Sequence, residues 1–288
     1  MAMTSTDASF ADRYGPWALV AGASDGTGAA FAHAVAERGV NVLLLARRRA
    51  MLEDLAAEIE SKRGVTAHAL AVDLSQPDAF ATVRAATDSL EVGMVMYNAG
   101  ADPVNEAFLA YDVEPALSMI QRNCVVPTQM CHHFGSLMQA RGRGGIVLVS
   151  SAAGLLGMPT MATYGGTKAF DIVLAESLWA ELHGRGVDVL APILGATDTP
   201  ALRLILAKRG VLADPDGDIS MVPNVVSAAE VAEGIVANLT NGPTWYAGDF
   251  VRERSEHLRS MPRNDAVRAV AQALETPWES PDAASAEA

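Results

Sequence analysis

Cysteine is scarce in this chain: there are two, Cys124 and Cys131, seven residues apart on what reads as one side of a helix. They form no CxxC pair and no Cys/His zinc spacing, so they read as reduced thiols packed like small hydrophobes. Positive charge is also short. Lys and Arg number 21 against 34 Asp and Glu, a formal net charge of −13. A nucleic-acid partner would need a basic face, so none is expected; the acidity fits solubility. No apolar run is long enough to cross a bilayer. The opening residues, MAMTSTDASFADRYG, lack the apolar segment of a signal peptide. A soluble cytoplasmic protein with no membrane partner is the expectation. Linkers and internal repeats are missing too.

What is present suits one large α/β domain: 288 residues, half of them hydrophobic and 19% charged. Short apolar runs at 17–23, 40–46, 67–72, 92–97, 146–150 and 187–193 read as strands buried on both faces. Helical patterns lie between them at 29–38, 48–62, 112–141 and 163–185. This alternation predicts βαβ units and a single Rossmann-like, doubly wound parallel sheet with helices on both faces. The domain is expected over 1–275, with a turn-rich lid at 201–226 and a disordered polar tail at 276–288.

The first run leads into Gly22-Ala23-Ser24-Asp25-Gly26-Thr27-Gly28 and then a helix. A strand, a glycine turn and a helix N-terminus make an anion site, with free N–H groups and the positive dipole end facing a diphosphate. Glycines at 22, 26 and 28 let backbone and ligand approach closely. The second run ends at small Ala46, followed by Arg47 and Arg48. An acidic residue there would hold a ribose 2′-hydroxyl, whereas arginine suits a 2′-phosphate, so NADP(H) is favoured over NAD(H). Basic residues at a helix start oppose its dipole, which calls for another reason for them. Asp25 counts slightly the other way. Asp73-Leu74 ends the third run, where Asp73 could accept from the adenine amino group. Asn98-Ala99-Gly100 ends the fourth, with Asn98 equally readable as a local turn former.

Ser151 closes the fifth run; Tyr164 follows thirteen residues later and Lys168 four after that. Positions i and i+4 share a helix face. A phenol is a poor base at neutral pH, but a neighbouring ammonium favours phenolate. Protonated, the same tyrosine could donate to a carbonyl oxygen as hydride reaches the carbon. Ser151 could steady the developing alkoxide, and Asn123 could hold a water that relays protons to Lys168. A hydrolase using Ser151 is disfavoured, because no Gly-x-Ser-x-Gly elbow surrounds it.

Taken in order, Gly22xxxGly26xGly28, Asp73, Asn98-Ala99-Gly100, Asn123, Ser151, Tyr164 and Lys168 resemble the short-chain dehydrogenase/reductase family from Trp17 to about Gly248. The resemblance implies a seven-stranded parallel sheet, an Asn123–Ser151–Tyr164–Lys168 tetrad, and homodimers or homotetramers formed through the two long central helices. It also implies a nicotinamide contact by Thr199 after Gly195; a shifted alignment would use Pro192 and Thr197. This sequence departs from the pattern at Ala21 (usually Thr), Tyr97 (Asn), Leu194 (Pro) and Asp25 (basic in many NADP users). The Ser-Asp-Gly turn is nevertheless similar to turns of NADPH-using hydroxysteroid and 3-ketoacyl reductases. The implied function is reversible hydride transfer between NADP(H) and a hydrophobic ketone/aldehyde or alcohol, as in a carbonyl reductase. A non-catalytic NADP(H)-sensing protein of the same fold is the alternative.

Overall fold

The computed structural model describes residues 9–102 and 104–275; the tail at 276–288 lies outside them. Its strands are β1 (Trp17–Ala21), β2 (Asn41–Ala46), β3 (Ala67–Ala71), β4 (Val92–Tyr97), β5 (Gly144–Leu148), β6 (Ser150–Ser151), β7 (Val187–Leu194), β8 (Thr197–Asp198), β9 (Val226–Ser227) and β10 (Thr244–Tyr246). The helices are α1 (Phe10–Tyr14), α2 (Gly26–Glu37), α3 (Arg49–Arg63), α4 (Ala79–Thr87), α5 (Glu114–Ile120), α6 (Val126–Arg141), α7 (Ala162–Leu182), α8 (Pro200–Lys208), α9 (Ala228–Asn238), α10 (Asp249–Ser260) and α11 (Arg263–Glu275).

The main sheet runs β10-β7-β5-β4-β1-β2-β3, with β6 extending the line of β5 and pairing with β7. Every pairing is parallel. The expected doubly wound sheet is therefore present, with seven strand positions. β10 was not among the apolar runs, because three half-buried residues are too few to show a pattern.

Side-chain alternation divides the core. Ala18 and Val20 pack with Phe31 and Val35 of α2, Leu52 and Ile59 of α3, and Val231 and Ile235 of α9. Leu19 and Ala21 face the other way, onto Val83 of α4, Met130 and Phe134 of α6, and Ala175 of α7. Both sheet faces are thus covered, which is why the strands read as unbroken apolar runs. Each fully buried side chain of this size contributes about 1.5–3 kcal/mol.

The chain moves outward from β1 to β3, then crosses back to place β4 on the other side of β1. At such a switch point the loops leaving the two strands diverge, and a crevice opens at their carboxyl ends. The glycine turn leaves β1 at that crevice, and Asn98-Ala99-Gly100 leaves β4 there.

The expected helix over 112–141 is interrupted. α5 and α6 are joined by a π turn, Gln121–Val125, which contains Asn123. Pro127 supplies the cause: it has no N–H to return to the Asn123 carbonyl four residues back, and its ring crowds that carbonyl. A wider turn relieves both problems, and π turns of this kind gather at functional sites.

Candidate functional site

Gly22 (φ +82°) and Gly26 (φ +56°) both lie in the left-handed region. A Cβ on Gly22 would sit 2.8 Å from the Ala99 nitrogen, so the turn can pass beside the β4 tip only without a side chain. Gly28 packs against the Gly22 backbone, and buried Thr27 lies between Gly26 and Gly28 in the first turn of α2. Asn98 does more than form a local turn. Its side-chain amide donates to the Gly22 carbonyl (3.2 Å), tying the two strand tips together. Asp25 occupies the N-cap of α2 without a side-chain cap hydrogen bond; its carboxylate instead meets Arg48, which also donates to Ser24 Oγ at 2.7 Å. The turn's one negative charge is therefore offset from the neighbouring loop.

Arg47 is exposed and forms no hydrogen bond or ion pair among the described residues. Asp73 lies within reach of its charge. Burial raises the Asp73 carboxyl, but hydrogen bonds from Ser75 and Gln76, with the field of Arg47, hold it below the ordinary value. Asp73 Oδ1 takes both the Ser75 N–H (3.0 Å) and its hydroxyl (2.7 Å), an Asx turn at the strand tip. Leu74 beside it is buried. The site fits a dinucleotide: glycines where side chains would block the crevice and a free helix N-terminus, with the exposed Arg47 cation nearby.

The second half of the site sits on α7. Lys168 is buried and donates to the Val149 carbonyl (2.7 Å) and to Asp171 (3.0 Å). A Cβ on Gly100 would fall 2.7 Å from Lys168 Nζ, so the β4 loop and the ammonium share tight quarters. Burial opposes the ammonium, yet Asp171 and Tyr164 outweigh it and hold the Lys168 pKa above its ordinary value. The ammonium lies 6.0 Å from the Tyr164 ring centre, and Tyr164 is half-buried. Ser151 Oγ caps a short 3₁₀ turn, Ala152–Gly154, by accepting from the Ala153 N–H (3.2 Å). That turn is pressed against α7, since a Cβ on Gly154 would lie 2.6 Å from the Lys168 backbone. Ser150 reinforces the contact by donating to the Lys168 carbonyl (2.7 Å). Asn123 is almost fully buried. Its amide donates to Thr167 Oγ1 (2.9 Å), the residue before Lys168.

Gly195 lines a cavity of about 190 Å³ that begins at Ala152, directly after Ser151. Its wall is mostly apolar, with Leu155, Leu156 and Met158 among the side chains that line it and Arg254, Ser255 and Asn224 as its polar members. The segment expected as a lid contributes Pro223 and Asn224; α10 contributes Phe250, Val251, Arg254, Ser255 and Leu258, and α11 contributes Val270, from helices that were not read in the sequence. Thr199 caps α8 by accepting from the Leu202 N–H (3.2 Å), and its methyl group covers Gly26. Thr197 is buried, and its hydroxyl has no partner. A wider groove of about 420 Å³, lined by Phe80, Arg84 and Gln129, contains no candidate residue. No cluster of metal-ligating side chains occurs among the described residues, and no helix among them is long and apolar enough to cross a membrane.

Several participants escaped sequence reading. Arg122 donates to Asn123 Oδ1 (2.9 Å) and to the Ala101 carbonyl (2.5 Å), fastening the π turn to the β4 loop. Tyr97 donates to the Arg122 carbonyl (2.5 Å). Burial pushes the Tyr97 phenol well above the ordinary tyrosine range, so it is no rival acid/base. The signals were Pro127, inside an otherwise helical pattern, and Asp171, three residues after Lys168.

The family model for short chain dehydrogenases matches residues 16–210, and the chain belongs to that family. It is 37% identical to the 7beta-hydroxysteroid dehydrogenase of Collinsella aerofaciens over 191 residues, 66% of this chain and 72% of that protein. Among solved structures, one from work on 7beta-hydroxysteroid dehydrogenase stereoselectivity superposes with a TM-score of 0.83 at 29% identity, covering 91% of this chain and 99% of that one. A short-chain dehydrogenase from Sphingobium yanoikuyae in complex with NADPH gives 0.73 at 28% identity, covering 85% and 92%. The chain is thus similar to oxidoreductases that interconvert alcohols and ketones.

Proposed function

We propose that this protein is an NADP(H)-dependent reductase of hydrophobic ketones, with Tyr164 as acid/base. The observation that carries the reading is the meeting of two half-sites at the carboxyl ends of the central strands: the glycine cradle beside β4, and the Lys168 ammonium packed against Gly100 of that same β4 loop. The nicotinamide supplies the hydride. Tyr164 gives its phenolic proton to the substrate oxygen, and Ser151 donates a hydrogen bond to that oxygen. Lys168 holds positive charge beside the phenol. Asn123, fixed by Thr167 and Arg122, braces the segment that approaches Lys168. Gly22, Ser24, Asp25, Gly26, Thr27, Gly28, Asn98, Ala99 and Gly100 form the diphosphate and ribose cradle. Arg47, next to Arg48, would hold the 2′-phosphate, and Asp73 and Leu74 would hold the adenine. Gly195, Thr197 and Thr199 would hold the nicotinamide end.

A hydrophobic substrate is supported by the apolar cavity next to Ser151, and by the likeness to a relative named for a hydroxysteroid. Apolar residues exposed on the central helices, namely Leu117, Ile120, Val125, Leu137 and Val173, support a homodimer or homotetramer. A cytoplasmic setting agrees with the unpaired thiols of Cys124 and Cys131, which burial pushes up to about 11 and about 12.

The test is NADPH oxidation with a panel of bulky apolar ketones, comparing the wild type with Tyr164→Phe. Turnover in the wild type and a fall in kcat of roughly 10²–10⁴-fold in the variant, with NADPH still bound, is expected. NADPH binding without turnover on any ketone, in the wild type, would favour the cofactor-sensing alternative.

A further inference from the structure

Asp171 is a buried carboxylate that the motif does not include. It follows Tyr164 by seven residues and Lys168 by three, so all three side chains share one stripe of α7. Its Oδ2 lies 3.0 Å from Lys168 Nζ, and the two side chains are only 3% and 4% exposed. Its Oδ1 is buried with no hydrogen-bond partner. The other titratable groups facing it are Tyr97 from β4, Cys124 from the π turn and Cys131 from α6. Burial keeps all three protonated near neutral pH, so they bring no charge. Arg122 adds a more distant positive field at Lys168.

A buried carboxylate with one oxygen unsatisfied is a poor packing choice; an apolar side chain of similar size would serve the fold at least as well. Lys168, however, cannot remain an ammonium at this depth on a neutral carbonyl alone, because desolvation drives a lone buried amine to lose its proton. The counter-ion supplies what the Val149 carbonyl cannot.

We propose that Asp171 is a positioning residue for the hydride-transfer reaction, its carboxylate anchoring the Lys168 ammonium beside Tyr164 and so setting the pH dependence of catalysis. The direction follows from charge alone. Removing the carboxylate weakens the hold on the lysine proton and also removes repulsion of the phenolate. Both effects ease the first deprotonation of the coupled pair, whichever group carries it. The wild-type chain therefore trades some readiness to act as a base for a cation fixed beside Tyr164.

The inference rests on the reductase reading, and the experiment separates the two. The pH dependence of kcat/KM for alcohol oxidation is measured with NADP⁺ for the wild type, Asp171→Asn and Asp171→Leu. Both variants remove the charge, and the leucine leaves no buried polar atom in case the asparagine variant does not fold. The rising limb is expected to move to lower pH by about one unit or more. If the wild type oxidises alcohols and the limb stays put while only kcat or thermal stability falls, Asp171 is structural and the proposal is wrong. If the wild type shows no oxidation or reduction, the reductase reading itself fails.

Discussion

Arg47→Ala is the sharpest test of cofactor choice, because the two arginines between β2 and α3 are in different states. Arg48 bonds Ser24 and Asp25, so much of its charge is already engaged. Arg47 has no such partner and stands exposed at the strand tip. A hydrogen bond between a guanidinium and a phosphate contributes about 1.5–3 kcal/mol when sheltered; exposure to solvent and salt takes this to the low end, roughly 1.5–2 kcal/mol. Every 1.4 kcal/mol is about tenfold in affinity, so Arg47→Ala should raise Kd for NADPH by about 10–30-fold. NADH, which has no 2′-phosphate, should change by less than about twofold on the same reasoning. Arg48→Ala should behave differently: it frees Asp25 beside the diphosphate and loosens the glycine turn, so both cofactors should weaken together. Tryptophan-fluorescence or calorimetric titrations at fixed ionic strength would read these values. Equal losses for NADPH and NADH in Arg47→Ala, or tighter binding of NADH by the wild type, would refute the assignment of the 2′-phosphate to Arg47.

Gly100→Ala should preserve the fold and lower kcat by about tenfold or more, since its Cβ would stand 2.7 Å from Lys168 Nζ and displace the ammonium from the tyrosine; circular dichroism together with steady-state kinetics checks it. Phe134→Ala, in the centre of the α6 face, should destabilise the protein by about 3–5 kcal/mol in urea unfolding while leaving KM for NADPH in the remaining folded enzyme unchanged.

The strand runs, the glycine turn and the order of Asn123, Ser151, Tyr164 and Lys168 were legible in the sequence for a local reason. Burial on both sheet faces writes itself as unbroken apolar residues, and a helix sets Lys168 beside Tyr164 by its repeat alone. Three-dimensional packing decided the rest. Asp25 looked like an obstacle to phosphate until the β1 and β2 loops met and Arg48 reached it. The segment expected as a lid gives the apolar cavity Pro223 and Asn224, whereas α10 gives it five residues, because amphipathic spacing does not say what a helix packs against. Asp171 stood in plain view three residues after Lys168, a spacing common on solvated helix faces. Only the closure of α6 and the π turn over that stripe removed its water, and desolvation is what turns an ordinary i,i+3 pair into a strong electrostatic coupling.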